Sequence, residues 1–217
     1  MAASGGRSLS AGRRTQGGNS VETTGHSADY SASLLVATLW APILALPPIL
    51  FLIGLNAWIW GPSRILSWVA DVTTGSRTSD PGLLLWLLVV LVAVVLHEFL
   101  HGLGWALCSH RPVRSVVEFG VRWRALTPFA RCKAEVPLKV YRAGTVLPAL
   151  LLGLLPATAG LITGDGRALA FGSLMILAAG GDLLVLWLVR SVPGDRLAQD
   201  HPTRVGCYIL DPPASEP

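Results

Sequence analysis

Long apolar runs separated by short polar stretches dominate the pattern of this chain. Four of them, at about 34–60, 82–107, 144–163 and 168–189, are each long enough to cross about 30 Å of hydrocarbon as a helix. The first contains Pro42 and the pair Pro47-Pro48, which predict a kink or a break into two pieces. Trp58, Trp60 and Trp68 then cluster where a chain leaves hydrocarbon for headgroups. Residues 1–32 are rich in Ser, Gly, Thr and Arg with almost no large apolar side chains, the composition of a disordered tail. Arg7, Arg13 and Arg14 mimic a transit peptide only faintly, and the apolar run that follows is too long for a secretory signal. Between the second and third runs, Val116 to Leu138 carries β-branched and aromatic residues broken by Gly120 and Pro128, which predicts a hairpin or re-entrant edge. A tight TGDGR turn joins the third and fourth runs. Residues 191–217 read as a tail containing the turn Val192-Pro193-Gly194-Asp195 and the strand-like run RVGCYIL. The predicted fold class is an all-α membrane protein. Its domain, 33–190, holds four transmembrane helices with a cytoplasmic β-hairpin or re-entrant loop between helices 2 and 3.

Composition agrees with a multi-pass membrane protein: of 217 residues, 52% are hydrophobic and 14% charged, and a soluble fold would need one core to absorb four such runs. The formal charge of +4 raises nucleic acid as a partner. Its distribution argues otherwise. Arg111, Arg114, Arg122, Arg124, Arg131, Lys133, Lys139 and Arg142 face only Glu118 and Glu135 between Cys108 and Ala143, a local net of +6. The positive-inside rule makes that loop cytoplasmic, and with it both termini. The expected setting is a bacterial plasma membrane, with the lipid bilayer and a membrane-protein or peptide substrate as partners and no nucleic acid; the oligomeric state stays open. Cys108, Cys132 and Cys207 form no CxxC pair and leave an odd count, so free thiols are expected rather than a disulfide framework.

The second run carries the chemistry. His97-Glu98-Phe99-Leu100-His101 reads HExxH; two imidazoles four apart on a helix share one face, and the glutamate beside the first is placed to act on a metal-bound water. A membrane helix has no cheap reason to hold three ionisable groups in five positions. Catalytic zinc takes three protein ligands and an open position, and downstream of the motif the carboxylate inside a span is Asp182. His97 lies 15 residues past Gly82 and Asp182 14 past Ala168, which places both roughly 21 to 23 Å from the outer ends at about 1.5 Å per residue. Gly180 and Gly181 are expected to let that helix approach the second closely. His110 and His201 are rival ligands outside the spans.

HEFLHGL in one helix with GGD in a later one resembles the intramembrane metalloproteases of the site-2 protease type. The chain is more closely similar to a family of small zincin membrane peptidases, over about residues 90 to 210. The similarity includes VEFG at Val117–Gly120, TPFARCKAEVPL, YRAGTVLPALLLG at Tyr141–Gly153, GGDLL at Gly180–Leu184 and DHPTRVGCYIL at Asp200–Leu210. The resemblance implies His97, His101 and Asp182 as ligands of one zinc ion and Glu98 as the catalytic acid/base. Site-2 proteases often carry an Asn in the helix corresponding to the third span. Here Gly144-Thr-Val-Leu-Pro148 has none, which leaves the oxyanion stabiliser open. Gly120, Pro148 and Gly181 are the candidate substrate-contacting positions. The expected function is a zinc-dependent intramembrane or membrane-associated metallopeptidase whose substrate pairs with the 116–138 edge as an added strand. Alternatives are a non-catalytic metal-binding membrane scaffold and, behind it, a small transporter, which would need paired broken helices and a polar path.

Overall fold

The structure is a computed structural model and describes residues 28–63, 81–123 and 127–210. Residues 1–27 of the disordered tail expected over 1–32, Trp68 and residues 211–217 lie outside the described residues. The elements are β1 (Ala28–Ala32), α1 (Leu34–Trp60), α2 (Pro81–Ser109), α3 (Val113–Val116), β2 (Val117–Arg122), β3 (Thr127–Cys132), β4 (Val136–Pro137), α4 (Leu138–Pro148), a π-helical stretch Ala149–Leu154, α5 (Leu155–Thr163), α6 (Gly166–Ala178), α7 (Gly180–Leu188), β5 (Leu197–Asp200) and β6 (Val205–Leu210).

The long apolar runs become the long helices. Leu34–Trp60, Leu84–Ser109 and Leu138–Thr163 are each long and apolar enough to cross a membrane, and α6 with α7 passes the same test as a pair bent by 46°. On α1 and α2, large apolar side chains such as Leu35, Phe51, Leu84 and Leu91 stay exposed, the arrangement of helices whose outer solvent is hydrocarbon. Contacts run in series, α2 on α4, the π stretch and α5 on α6, and α6 and α7 on α1.

Four expectations are corrected. Of the kink or break expected in the first span, the break does not occur: it is a single helix through Pro42, Pro47 and Pro48. Ser33 caps it by accepting from Val36 N at 3.3 Å, and Ala45, Ile49 and Leu52 pack it against Ala157, Leu161 and Ile176, contacts that hold the axis where proline removes backbone bonds. The third span begins at Leu138, not near Gly144. Its charged residues misled the reading: Lys139 points outward, and Arg142 donates to the carbonyls of Val189 and Val192 at the end of α7. The run expected as the fourth span is not one straight helix but two, α6 and α7, bent by 46° about Ala179. Finally, the fold is not all-α and its flanks are not plain tails. Residues 28–32 pair antiparallel with β6, as Ala28↔Ile209 through Ala32↔Val205. A four-stranded sheet ordered β1-β6-β5-β4 results. Residues so close to a polar tail order because β6 supplies a complete ladder of backbone partners.

The hairpin expected between the second and third spans is present, β2 pairing β3 with Val117↔Cys132 and Phe119↔Ala130. Phe119 stacks on Phe99 of α2 at 6.5 Å, and a Cβ on Gly102 would meet the Phe119 ring at 2.3 Å. The hairpin therefore folds back along α2 from its C-terminal end. The largest buried cluster joins Trp105, Val116, Val117, Cys132, Leu138, Tyr141, Val189 and Cys207, where the helices meet the sheet.

Candidate metal centre

Helical periodicity puts His97 and His101 one above the other on the buried side of α2, 7% and 4% exposed. Their rings meet edge to face, centroids 4.9 Å apart, with the two Nε2 atoms 3.2 Å apart. Asp182 enters from the first turn of α7. Its Oδ2 lies 3.1 Å from His97 Nε2 and its Oδ1 3.2 Å from His101 Nε2. One ligand atom from each of the three falls within 4.8 Å of the others. Tetrahedral zinc at about 2.0–2.1 Å from its ligands needs donor atoms about 3.3 Å apart, so the three side chains present a set of the right size and chemistry.

The imidazoles are held differently. His101 Nδ1 lies 3.0 Å from the carbonyl of Gly144, which can only accept; Nδ1 therefore carries a hydrogen, which leaves Nε2 as the nitrogen that could ligate a metal. That bond depends on an unusually close crossing of α2 and α4. A Cβ on Gly144 would stand 2.1 Å from Trp105 Cδ1, and one on Gly104 2.8 Å from Gly144 Cα. Trp105 seals the crossing. It stacks on His101 at 5.4 Å and on Tyr141 at 5.8 Å, and donates from Nε1 to the Tyr141 carbonyl at 2.9 Å. The buried Nδ1 of His97 has no hydrogen-bond partner among the described residues.

Glu98 stands on the flank of the same helix and reaches the hairpin, where its Oε2 accepts from Ala130 N at 2.7 Å. A cleft of about 480 Å³ opens from Glu98, His101 and Asp182 between Thr127–Arg131 on one wall and Asp200–Pro202 with Arg204–Gly206 on the other. Arg131 pairs with Glu118 across the hairpin. Asp200 also lines the cleft. It accepts from Cys132 N at 2.6 Å and from the Tyr141 hydroxyl, and burial lifts its carboxyl to about 6 against the opposing pull of those two donors.

Gly120, Pro148 and Gly181 are not among the residues that line the cleft. Gly120 accommodates the ring of Phe129, which a Cβ would meet at 2.5 Å, and Gly181 faces open space. The close approach expected at the glycine pair is to α1 instead, since a Cβ on Gly180 would lie 2.7 Å from the Ala41 carbonyl oxygen. His110 and His201 stand outside the ligand group; His201 turns its Nδ1 to the amides of Thr203 and Arg204. Asp200, Tyr141 and Thr145 line the cleft without having been singled out as site residues. A hint was present in Asp200-His201-Pro202, an acidic residue at the head of a turn. All three cysteines are free, Cys108 exposed and the other two buried.

Residues 90–197 match the model of a family described as "Putative zincin peptidase". No curated protein and no solved structure matches the chain. The matched stretch holds His97, Glu98, His101 and Asp182 together with the hairpin, and stops short of Asp200.

Proposed function

We propose that this chain, which over residues 90–197 belongs to that zincin peptidase family, is a zinc metallopeptidase of the membrane that cleaves peptide bonds in membrane proteins, in the manner of site-2 proteases. One observation carries the reading. Two imidazole Nε2 atoms of one helix and a carboxylate of another converge within 4.8 Å, next to a glutamate that lines the same cleft. His97, His101 and Asp182 would hold one zinc ion. Bound there, zinc supplies an acidified water and a polarised carbonyl. Glu98 takes up a proton at its carboxylate and returns it to the leaving amine. The His101 ring is kept in one tautomer by the Gly144 carbonyl, and the buried Trp105 ring, which lines the cleft, stacks against it.

The bent pair α6–α7 is the fourth span, and the basic stretch from Arg111 to Arg142 puts the cleft and both flanking tails on the cytoplasmic side. Substrate reaches the centre as an extended segment, because an intact helix buries its carbonyls in its own ladder. The edge of β3 that faces Glu98 is the place for it to pair. Metal analysis of the purified protein beside His97→Ala and Asp182→Ala tests the ligand set: about one zinc per chain is expected in the parent and a loss of at least tenfold in affinity in each variant, whereas stoichiometric zinc in all three discards the assignment. Glu98→Gln separates enzyme from scaffold. It should keep zinc and lose hydrolysis by a factor of at least about 10².

A further inference from the structure

The outward edge of β3 is narrow. In its antiparallel pairing with β2, alternate residues turn their backbone groups away from the partner strand, and the amides of Ala130 and Cys132 do so, since they meet Glu98 and Asp200. The next outward position is Pro128, which has no N–H. The edge thus offers two donors, and a carboxylate of this same chain holds each one. Charge-assisted bonds of this kind are stronger than those an incoming peptide carbonyl can make.

We propose that Asp200 is a positioning residue that latches the β3 edge closed. It caps Cys132 N–H while Glu98 caps Ala130 N–H, so an extended substrate gains its place only by displacing both carboxylates, and that displacement frees Glu98 for proton transfer. The inference rests on the docking edge proposed above. Asp200 is suited to the task because it joins three elements at one group: it belongs to β5, receives Tyr141 from α4 and receives Cys132 from β3. Gln199 beside it donates to the Lys133 carbonyl, so β5 covers the end of β3 and leaves the part next to the centre to be uncovered by substrate. The catalytic glutamate is thereby kept away from idle turnover until a strand has paired.

The test uses the full chain in detergent micelles with fluorescently labelled denatured casein as a generic extended peptide. Hydrogen exchange across 127–133 and casein affinity by anisotropy are read for the parent, Asp200→Ala, Asp200→Asn and Tyr141→Phe. Asp200→Ala should raise exchange of the Cys132 amide at least tenfold and tighten casein binding about tenfold. Asp200→Asn, with one carbonyl oxygen for two donors and nearly the same shape, should give the same changes at smaller size. Tyr141→Phe removes the other donor to Asp200 and should leave both readings as in the parent. Casein affinity that falls in Asp200→Ala, that changes equally in Tyr141→Phe, or that is absent from every protein overturns the latch. Zinc content is measured in the same samples. A parent without zinc defeats the metallopeptidase reading, while exchange and affinity still decide the latch on their own.

Discussion

At the scale of single residues, spacing made the motif legible and register hid its supports. His97, Glu98 and His101 fall within five positions of one helix, and Asp182 was matched to them by depth on the assumption of a straight helix from Ala168, although that run bends by 46° at Ala179 before reaching it. Gly144 and Asp200 could not be foreseen, since their partners Trp105, Cys132 and Tyr141 are 39, 68 and 59 residues away in sequence. Gly144→Ala tests the first. A methyl group 2.1 Å from Trp105 must part α2 from α4, which should cost about 1–3 kcal/mol by thermal unfolding and, through His101, weaken zinc binding by about 10- to 100-fold in a chelator competition. Asp200 gives a pH dependence of definite sign. Its folded carboxyl is raised to about 6 from the ordinary 3.8, burial outweighing the Tyr141 hydroxyl, the Cys132 amide, His101 and Arg131. The folded chain therefore binds more protons in that interval, and this group's stabilisation is complete below 3.8 and is lost as pH rises through about 6. Melting temperature measured between pH 4 and pH 8 should fall for the parent relative to Asp200→Asn, the underlying unfolding free energy dropping by at most about 1.4 kcal/mol per pH unit. Parallel curves would contradict it.

At the scale of elements, hydrophobic runs located the helices but not their bends. Periodicity has no signal for the 46° turn at Ala179, which arises because α6 and α7 pack on different stretches of α1 and Gly180 lets the Ala41 backbone in. The hairpin was legible, as β-branched and aromatic alternation broken by Gly120 and Pro128, whereas β1 was not, because a five-residue strand acquires its meaning only from β6. The two neighbouring glycines make a sharp comparison. Gly180→Ala drives a methyl group into the carbonyl of Ala41 at 2.7 Å and should lower stability by about 1–3 kcal/mol. Gly181→Ala meets open space and should be neutral or stabilising by up to about 1 kcal/mol through helix propensity. Thermal unfolding of the two purified variants decides it, and equal losses would place the wrong glycine against α1.

At the scale of the whole molecule, the cysteines report on orientation. Cys108 is exposed at the end of α2, while Cys132 and Cys207 are buried. A membrane-impermeant maleimide should leave intact cells unlabelled and modify Cys108 alone once the membrane is permeabilised; labelling of intact cells would invert the proposed orientation. The overall class was legible because four long apolar runs admit few other solutions. The sheet that joins the two flanks was not, since nothing local marks residues 28–32 and 205–210 as mates. Their pairing carries a rule of parity. Strands that zip together, one before the first span and one after the last, must lie on the same face of any bilayer between them. Only an even tally of crossings permits that, and the proposed topology supplies it by taking the bent pair as its fourth passage.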